Sequence, residues 1–482
     1  MVDVRPIIPV IGVLSIVLGV TMVVPATADL SAGTGDWRSF AGSSLITILI
    51  GTGLFAATRG RKVTLTLRQA FLMSVLTWVA LAAFGALPFI WSDKINSITD
   101  AYFESMSALT TTGATVISGL DDASPGLLLW RAILQWIGGL GIIVMAVSVL
   151  PMLQVGGMQL FKAEAFDTAE KILPSATQIS GIMTGIYSAL TVLCTICYFA
   201  AGMGALDAVI HAMTTVATGG FSSKDASIGH FESGAIDSVA IVFMILGSLP
   251  FLLYIKILQG DRFALYRDSQ VRMFLTTLFA FIIIVAALQI AGEHHVGLDA
   301  LRHSTFNVVS IMTGTGYATQ DYGAWGGFST AIFFMLMFIG GCAGSTSCGV
   351  KMFRWQVLFQ ELKQNVNSLA FPNGVFVKRF NGQLIDDSVS TAVMGFFFLY
   401  LACFAGLSVL LSLTGLDMTT AISGAASAIS NVGPGLGIII GPAGNYGELN
   451  DIAKWLLAAG MLLGRLELFT VLVLLSPAFW RS

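Results

Sequence analysis

The sequence predicts an all-α polytopic membrane protein. It has two N-terminal spans followed by four pseudo-repeats, each a span, a short helix, a Gly/Thr-rich loop and a second span set around a central axis. Three observations predict it. Charged residues make up only 11% of the 482, against about 25% in soluble domains, too few to cover a water-exposed globule. Apolar stretches of about 20 residues recur along the whole chain, each long enough to cross a ~30 Å hydrocarbon core. Four glycine-centred loops, Thr111-Thr112-Gly113-Ala114, Ala217-Thr218-Gly219-Gly220, Gly314-Thr315-Gly316-Tyr317 and Asn431-Val432-Gly433-Pro434, return at a period near one hundred residues, which marks an internal repeat.

The first two spans read as 7–27 and 41–58, joined by a short loop holding Asp29, Asp36 and Arg38. Pro9 and Pro25 bound the first, and it has no small-residue cleavage site, so it reads as an anchor. A basic stretch, Arg59, Arg61, Lys62 and Arg68, follows. The repeats then pair spans 70–92 with 128–151, 179–202 with 236–258, 272–291 with 327–357, and 388–414 with 451–479. This gives five units: 1–68, 69–177, 178–271, 272–387 and 388–482. Residues 327–357 would make a helix of about 46 Å, too long for one straight crossing. Its middle, Gly340-Gly341-Cys342-Ala343-Gly344-Ser345-Thr346-Ser347-Cys348-Gly349, is built of small residues and reads as an intramembrane loop that breaks the helix.

Charge sets the orientation. With a cytoplasmic N-terminus, the inner loops collect most of the 24 basic residues, among them Arg5, Arg59, Lys162, Lys171, Lys256, Arg262, Arg267, Arg272, Lys351, Arg354, Lys363, Lys378 and Arg379, as the positive-inside rule requires. The outer side keeps mostly acids, including Asp93, Asp121, Asp122, Asp225, Glu232 and Glu448. An acidic outer face concentrates cations. Both termini then lie on the cytoplasmic side, and all four Gly/Thr loops enter from outside between ten spans.

Each short helix begins beside an aspartate, Asp100, Asp207, Asp299 or Asp417, which suits the positive end of a helix dipole. Each helix points its partially negative C-terminal end into its loop. Non-helical backbone at membrane depth is tolerated only where it lines protein or a water-filled cavity, and a ring of carbonyls can replace the hydration shell of K⁺. One such loop alone is an ordinary helix-capping turn. Four at matching places in four repeats read as short pore helices running into filter loops around a central pore.

Thr110-Thr111-Thr112-Gly113-Ala114-Thr115, Ala217-Thr218-Gly219-Gly220-Phe221-Ser222, Gly341-Cys342-Ala343-Gly344-Ser345-Thr346, Asn431-Val432-Gly433-Pro434-Gly435 and Leu463-Gly464-Arg465-Leu466-Glu467 resemble the Trk/Ktr/HKT potassium transporter superfamily. The two extra N-terminal spans and the end of the fourth repeat are most similar to its bacterial TrkH branch. The resemblance covers essentially the whole chain. It implies four joined copies of a simple K⁺-channel subunit, with the ion filter at Thr111, Thr112, Gly113, Ala217, Thr218, Gly219, Gly314, Thr315, Gly316, Asn431, Val432 and Gly433. It also implies a homodimer in the bacterial inner membrane, working with a cytosolic TrkA-like nucleotide-binding ring. NAD(H) and ATP/ADP would belong to that partner, leaving this chain with K⁺ as its transported ion and no organic cofactor. Gly113, where relatives that pass Na⁺ carry serine, favours K⁺. Ser347-Cys348 departs from the smaller or glycine-rich residues expected there.

Two features lie on the inner side of the filter. The segment Gly340, Gly341, Gly344, Ser345, Thr346 and Gly349 reads as a gate projecting into the pore, with a small-residue helix-packing face as the alternative. Gly344 to Gly349 also imitates half a phosphate-binding loop, but Val350-Lys351 replaces the required Lys-Ser/Thr and no strand precedes it. Arg465 stands within an apolar span, where an unpaired cation is costly. It reads either as a barrier cation donating to the 340–349 loop or as a clamp on backbone carbonyls. Glu467, two residues on, faces another side of the helix.

The five cysteines lie in or beside apolar segments and read as small buried hydrophobes. His211, His303, His294 and His295 read as packing or loop residues. No metal cluster, catalytic triad or nucleic-acid patch stands out, and the apolar spans exclude a soluble enzyme. K⁺ import driven by the membrane potential is the reading, with channel and H⁺/K⁺ symport both open. A secondary carrier of organic solutes, or a structural or receptor membrane protein, is the rival; a carrier's repeats would be inverted, whereas these four run in one sense.

Overall fold

In the computed structural model, which describes residues 3–58, 66–95, 97–148, 176–292 and 297–481, the chain is a bundle of helices with one short hairpin, Arg379–Phe380 against Gln383–Leu384. The basic residues Arg59, Arg61, Lys62, Lys162 and Lys171, the end of the 128–151 span, and His294-His295 lie outside the described residues.

Among the described residues, seven helices are long and apolar enough to cross a membrane: Ile8–Ala32, Trp37–Ala56, Leu67–Ile90, Pro125–Met145, Gln178–Ala200, Ser269–Ala291 and Asp387–Leu413. Their exposed apolar side chains, such as Leu49, Phe279 and Phe398, form the kind of surface that lipid covers. The two N-terminal spans approach closely at Gly12 and Gly51, where a Cβ on either glycine would lie 2.8 Å from the other's carbonyl oxygen. Small residues allow such backbone contact between membrane helices. Asp29 is not in a loop as expected. It is buried in helix Val23–Ala32, where its Oδ1 accepts the Gly126 N–H at 2.7 Å. It thereby ties the N-terminal unit to the start of the second span of the first repeat.

The spans expected at 236–258 and 451–479 are not continuous. The first breaks by 90° between Gly234–Gly247 and Phe251–Leu258, the second by 117° between Asp451–Arg465 and Phe469–Leu475. Pro250 explains the first break, because it lacks an N–H and forces Leu249 out of helical geometry. At the second, Glu467 and Leu468 both take positive φ, 63° and 43°, a conformation costly for residues with a Cβ. The 327–357 region breaks as expected: helix Gly327–Leu336 stops, a non-helical stretch follows, and Met352–Ala370 resumes. All three breaks lie around one intramembrane loop.

Candidate functional site: a four-fold carbonyl ring over a buried loop

Four short helices, Ile98–Leu109, Ala205–Val216, Leu298–Met312 and Met418–Ser430, carry the Gly/Thr loops. Two of their starts carry side-chain caps: Ser97 Oγ accepts the Asp100 N–H at 3.0 Å, and Asp417 accepts the Thr420 N–H at 3.1 Å, whereas the other two begin after Gly204 and Gly297 with no side-chain cap. Each ends the same way. Thr111, Thr218, Gly314 and Asn431 take left-handed φ of 53°, 50°, 73° and 52°. The next N–H then reaches back five residues: Thr112 to Ser107 O, Gly219 to Thr214 O, Thr315 to Ser310 O and Val432 to Ser427 O, at 2.8–3.0 Å. This closes the free helix carbonyls in the manner of a Schellman cap and turns the chain out of the helix.

One residue further on sits a glycine at positive φ: Gly113 (84°), Gly220 (76°), Gly316 (81°) and Gly433 (104°). These four cannot carry a side chain, for a shared reason. A Cβ on Gly113 would collide with the Gly219 carbonyl oxygen, on Gly220 with Thr315 O, on Gly316 with Val432 O, and on Gly433 with Thr112 O. Each repeat's glycine therefore packs on the next repeat's carbonyl, and the fourth returns to the first. The carbonyls of Thr112, Gly219, Thr315 and Val432 form a closed ring.

This geometry shifts the second loop by one residue. Gly220, not Gly219, corresponds to Gly113, Gly316 and Gly433, and Gly219 rather than Thr218 supplies the ring carbonyl. The sequence aligned Thr218-Gly219 with Thr315-Gly316 because both are Thr-Gly pairs. Only backbone geometry separates the two glycines of Gly219-Gly220. Ala217 is the last turn of its helix, one step before the loop.

Buried polar side chains hold the ring from behind. Asn431 Nδ2 donates to Thr112 Oγ1 at 2.9 Å and to Met461 O at 2.8 Å. Ser310 Oγ donates to Tyr317 O at 2.6 Å, and Ser427 Oγ and Tyr446 OH both donate to Gly433 O at 2.7 Å. Arg131, 1% exposed, pairs with the fully buried Glu104 at 2.8 Å and donates to Ser222 O at 2.8 Å. Lys454 pairs with Asp100 at 2.6 Å. Sequence reasoning missed Arg131 and Lys454, although the rule that singled out Arg465, a cation inside an apolar span, applies to both. His211 binds Ser222 Oγ at 2.9 Å and Asp207 O at 2.8 Å, a packing role.

A cavity of about 80 Å³ opens on one side of the ring, lined by Gly113, Gly220, Gly316 and Gly433 together with Thr115, Asp225 and Tyr446. The 340–349 loop closes the other side. Its ends are pinned together by Gly340 N–H to Val350 O and Val350 N–H to Phe338 O. Its body is stitched to the broken second span of the second repeat: Cys342 N–H to Ser248 O at 3.0 Å, Thr346 N–H to Gly247 O at 3.1 Å, and Phe251 N–H to Gly344 O at 2.9 Å. The carbonyls freed by the break at Pro250 thus become the loop's acceptors. The loop touches the helix ends below the ring: Ser347 Oγ donates to Thr313 O at 2.6 Å, Thr346 Oγ1 donates to Val216 O at 3.1 Å, and Cys348 Sγ lies 3.7 Å from Thr111 Oγ1. Gly341 contacts Ser347, Ser345 Oγ donates to Cys342 O, and Gly344 and Gly349 take positive φ at the loop's two turns.

Arg465 reaches this loop from the break in the last span. Nη1 donates to Thr346 O at 3.2 Å and to Cys348 Sγ at 2.7 Å, and Nη2 donates to Gly138 O at 3.0 Å. Glu467 pairs instead with Arg354, and Lys351 Nζ donates to Ser347 O. Cys348 is therefore a polar partner of a cation as well as a buried thiol. Among the described residues no group of three or more His, Cys, Asp and Glu is placed to hold a metal ion.

Comparison with known proteins agrees with this architecture. Residues 38–482 match the TrkH family model, described as a cation transport protein. The chain is 45% identical to the Trk system potassium uptake protein TrkI of Halomonas elongata over 99% of this chain and 97% of that one. It is 38% identical to the Trk system potassium uptake protein TrkH of Escherichia coli K12 over 99% of each. It superposes on the crystal structure of the potassium transporter TrkH from Vibrio parahaemolyticus with a TM-score of 0.92 and 36% identity, covering both chains completely. A closed ring of four carbonyls, the matched helical architecture and these full-length identities lead to one conclusion: the chain belongs to the TrkH family of cation transport proteins.

Proposed function

We propose that this chain takes up K⁺ across the bacterial inner membrane, with the ions passing singly through the carbonyl ring of Thr112, Gly219, Thr315 and Val432. The observation that carries the reading is the cyclic packing of Gly113, Gly220, Gly316 and Gly433 on those carbonyls. Four backbone oxygens held at fixed spacing replace part of an ion's hydration shell. An interior-negative potential favours entry by about 2.3 kcal/mol per 100 mV. The relatives' function as Trk potassium uptake proteins supports the choice of ion.

The 340–349 loop and Arg465 act as the gate in this reading. Together they fill the space beneath the ring, where Arg465 places a buried cation against the loop carbonyl of Thr346. The inner face, carrying Met352–Ala370 and the 379–384 hairpin, docks a cytosolic nucleotide-binding ring, and two copies of the chain pair. Both termini then lie in the cytoplasm.

The test is Rb⁺ tracer uptake into proteoliposomes of the purified chain, competed by K⁺ or Na⁺. Competition by K⁺ well above that by Na⁺ sustains the reading, and equal competition rejects it. Gly113→Ser, which places a side chain against the Gly219 carbonyl, lowers K⁺/Na⁺ discrimination in a protein that still inserts.

A further inference from the structure

The four ring positions are not equivalent. Thr112, Thr315 and Val432 have side chains behind the ring, whereas the second repeat has Gly219. Backbone conformation does not require glycine there, since Gly219 is absent from the left-handed residues that include Gly220. Space does. A Cβ on Gly219 would lie 2.5 Å from Cδ of Gln135 and 2.6–2.8 Å from its amide oxygen and nitrogen. Gln135, in helix Pro125–Ser148 of the first repeat, is fully buried. Its Nε2 donates to the Gly219 carbonyl at 2.6 Å, and its Oε1 accepts the Phe221 N–H at 3.1 Å. The two bonds fix the amide's orientation, because a flip would set donor against donor and acceptor against acceptor.

We infer that Gln135 is a positioning residue for ion selectivity: its amide stands in for the side chain missing at Gly219 and occupies one lone pair of that ring carbonyl. The inference rests on the potassium reading of the ring. The chemistry follows from field strength. A carbonyl that already accepts a short N–H bond has one lone pair taken and a partly positive hydrogen beside its oxygen, so its net pull on an ion is weaker than that of a free one. Of two monovalent cations, a weaker oxygen field favours the one that is cheaper to dehydrate, K⁺ over Na⁺. Gln135 also braces the loop on both sides of Gly220, which limits contraction of the ring around a smaller ion. Selectivity of the second repeat thus depends on a side chain of the first.

Gln135→Met keeps the length and removes both polar atoms. In proteoliposomes its K⁺/Na⁺ competition ratio falls, with a smaller change in maximal Rb⁺ flux. A purely structural role would lower flux for all ions alike. A folded Q135M with the parental ratio overturns the inference. The variant Gln135→Ala with Gly219→Thr refills the space without restoring the amide donor to the ring carbonyl, so it folds and transports but keeps the lowered K⁺/Na⁺ ratio of Q135M. Should Q135M not fold, this double variant decides. A folded double variant with a lowered K⁺/Na⁺ ratio sustains the inference, and parental selectivity, or failure to fold, overturns it. Thermal melting separates this result from failure of the potassium reading. G219T alone melts lower than the parent and Q135A/G219T recovers it if Gln135 fills that space, whatever ion the ring passes. A parent whose Rb⁺ uptake K⁺ does not compete rejects the potassium reading itself.

Discussion

Arg465 Nη1 lies 3.2 Å from the carbonyl oxygen of Thr346, joining a cation from the fourth repeat to the loop of the third, directly beneath the carbonyl ring. The guanidinium also holds Cys348 Sγ and Gly138 O, so it both positions the loop and places charge there. Arg465→Ala removes the buried charge and its three hydrogen bonds together. Uptake in proteoliposomes without any partner subunit rises, and deleting several residues of 340–349 raises it further. K⁺/Na⁺ selectivity stays near parental in both, since the ring is untouched. Variants that insert normally yet conduct no faster make loop and arginine scaffolding only.

The register of the second loop predicts unequal outcomes for two adjacent glycines. Gly220→Ala drives a Cβ into the Thr315 carbonyl at φ 76°, and backbone cannot step aside cheaply. Gly219→Ala meets only the Gln135 amide, whose displacement costs two side-chain hydrogen bonds rather than a backbone shift. G220A therefore abolishes selective uptake while G219A retains a measurable part of it. The reverse order would restore Gly219 as the equivalent of Gly113.

Glu104 and Arg131 form a buried pair in which each also serves the loops: Glu104 accepts the Val116 N–H at 2.9 Å, and Arg131 donates to Ser222 O. Removing one partner leaves an uncompensated buried charge, a loss of about 3–5 kcal/mol. Glu104→Gln lowers the melting temperature of the detergent-purified protein strongly. Exchange of an exposed pair such as Arg267 with Asp261, 3.6 Å apart, changes it little.

Asp417 caps the fourth short helix, and bonds from the Thr420 side chain and backbone hold its carboxyl below the ordinary 3.8. A lowered folded value means the cap's contribution is complete above about pH 4 and lost as pH falls through the folded value. Asp417→Ala costs about 1 kcal/mol at neutral pH. The parent's melting temperature approaches that of D417A in strong acid, while D417A shows less of this decline. Parallel acid profiles for the two proteins would remove the cap from the account.

Assembly gives the remaining prediction. The purified chain runs as a dimer, and cross-links from a cytosolic nucleotide-binding ring fall on the Met352–Ala370 helix or the 379–384 hairpin. Cross-links confined to the acidic loops around Asp121, Asp225 and Asp321 would invert the proposed topology.

The sequence by itself determined the membrane class, the short helices beside Asp100, Asp207, Asp299 and Asp417, and the break at 340–349. Each rests on local properties: apolar length, short semi-polar segments with an acid near their starts, and a run of small residues. Tertiary structure decided what local patterns leave open. The Thr-Gly match in the second loop set Gly219 against Gly113, and only the packing of Gly220 on Thr315 O corrected it. Gln135 gave no signal, because a glutamine in an apolar helix gains its role from a carbonyl 84 residues away. The kink at Glu467-Leu468 was equally silent, since nothing in those side chains forbids a helix. Contacts with the 340–349 loop and the Arg354 pair hold that backbone in place, and the conformation is stable only where the surrounding packing over-determines it.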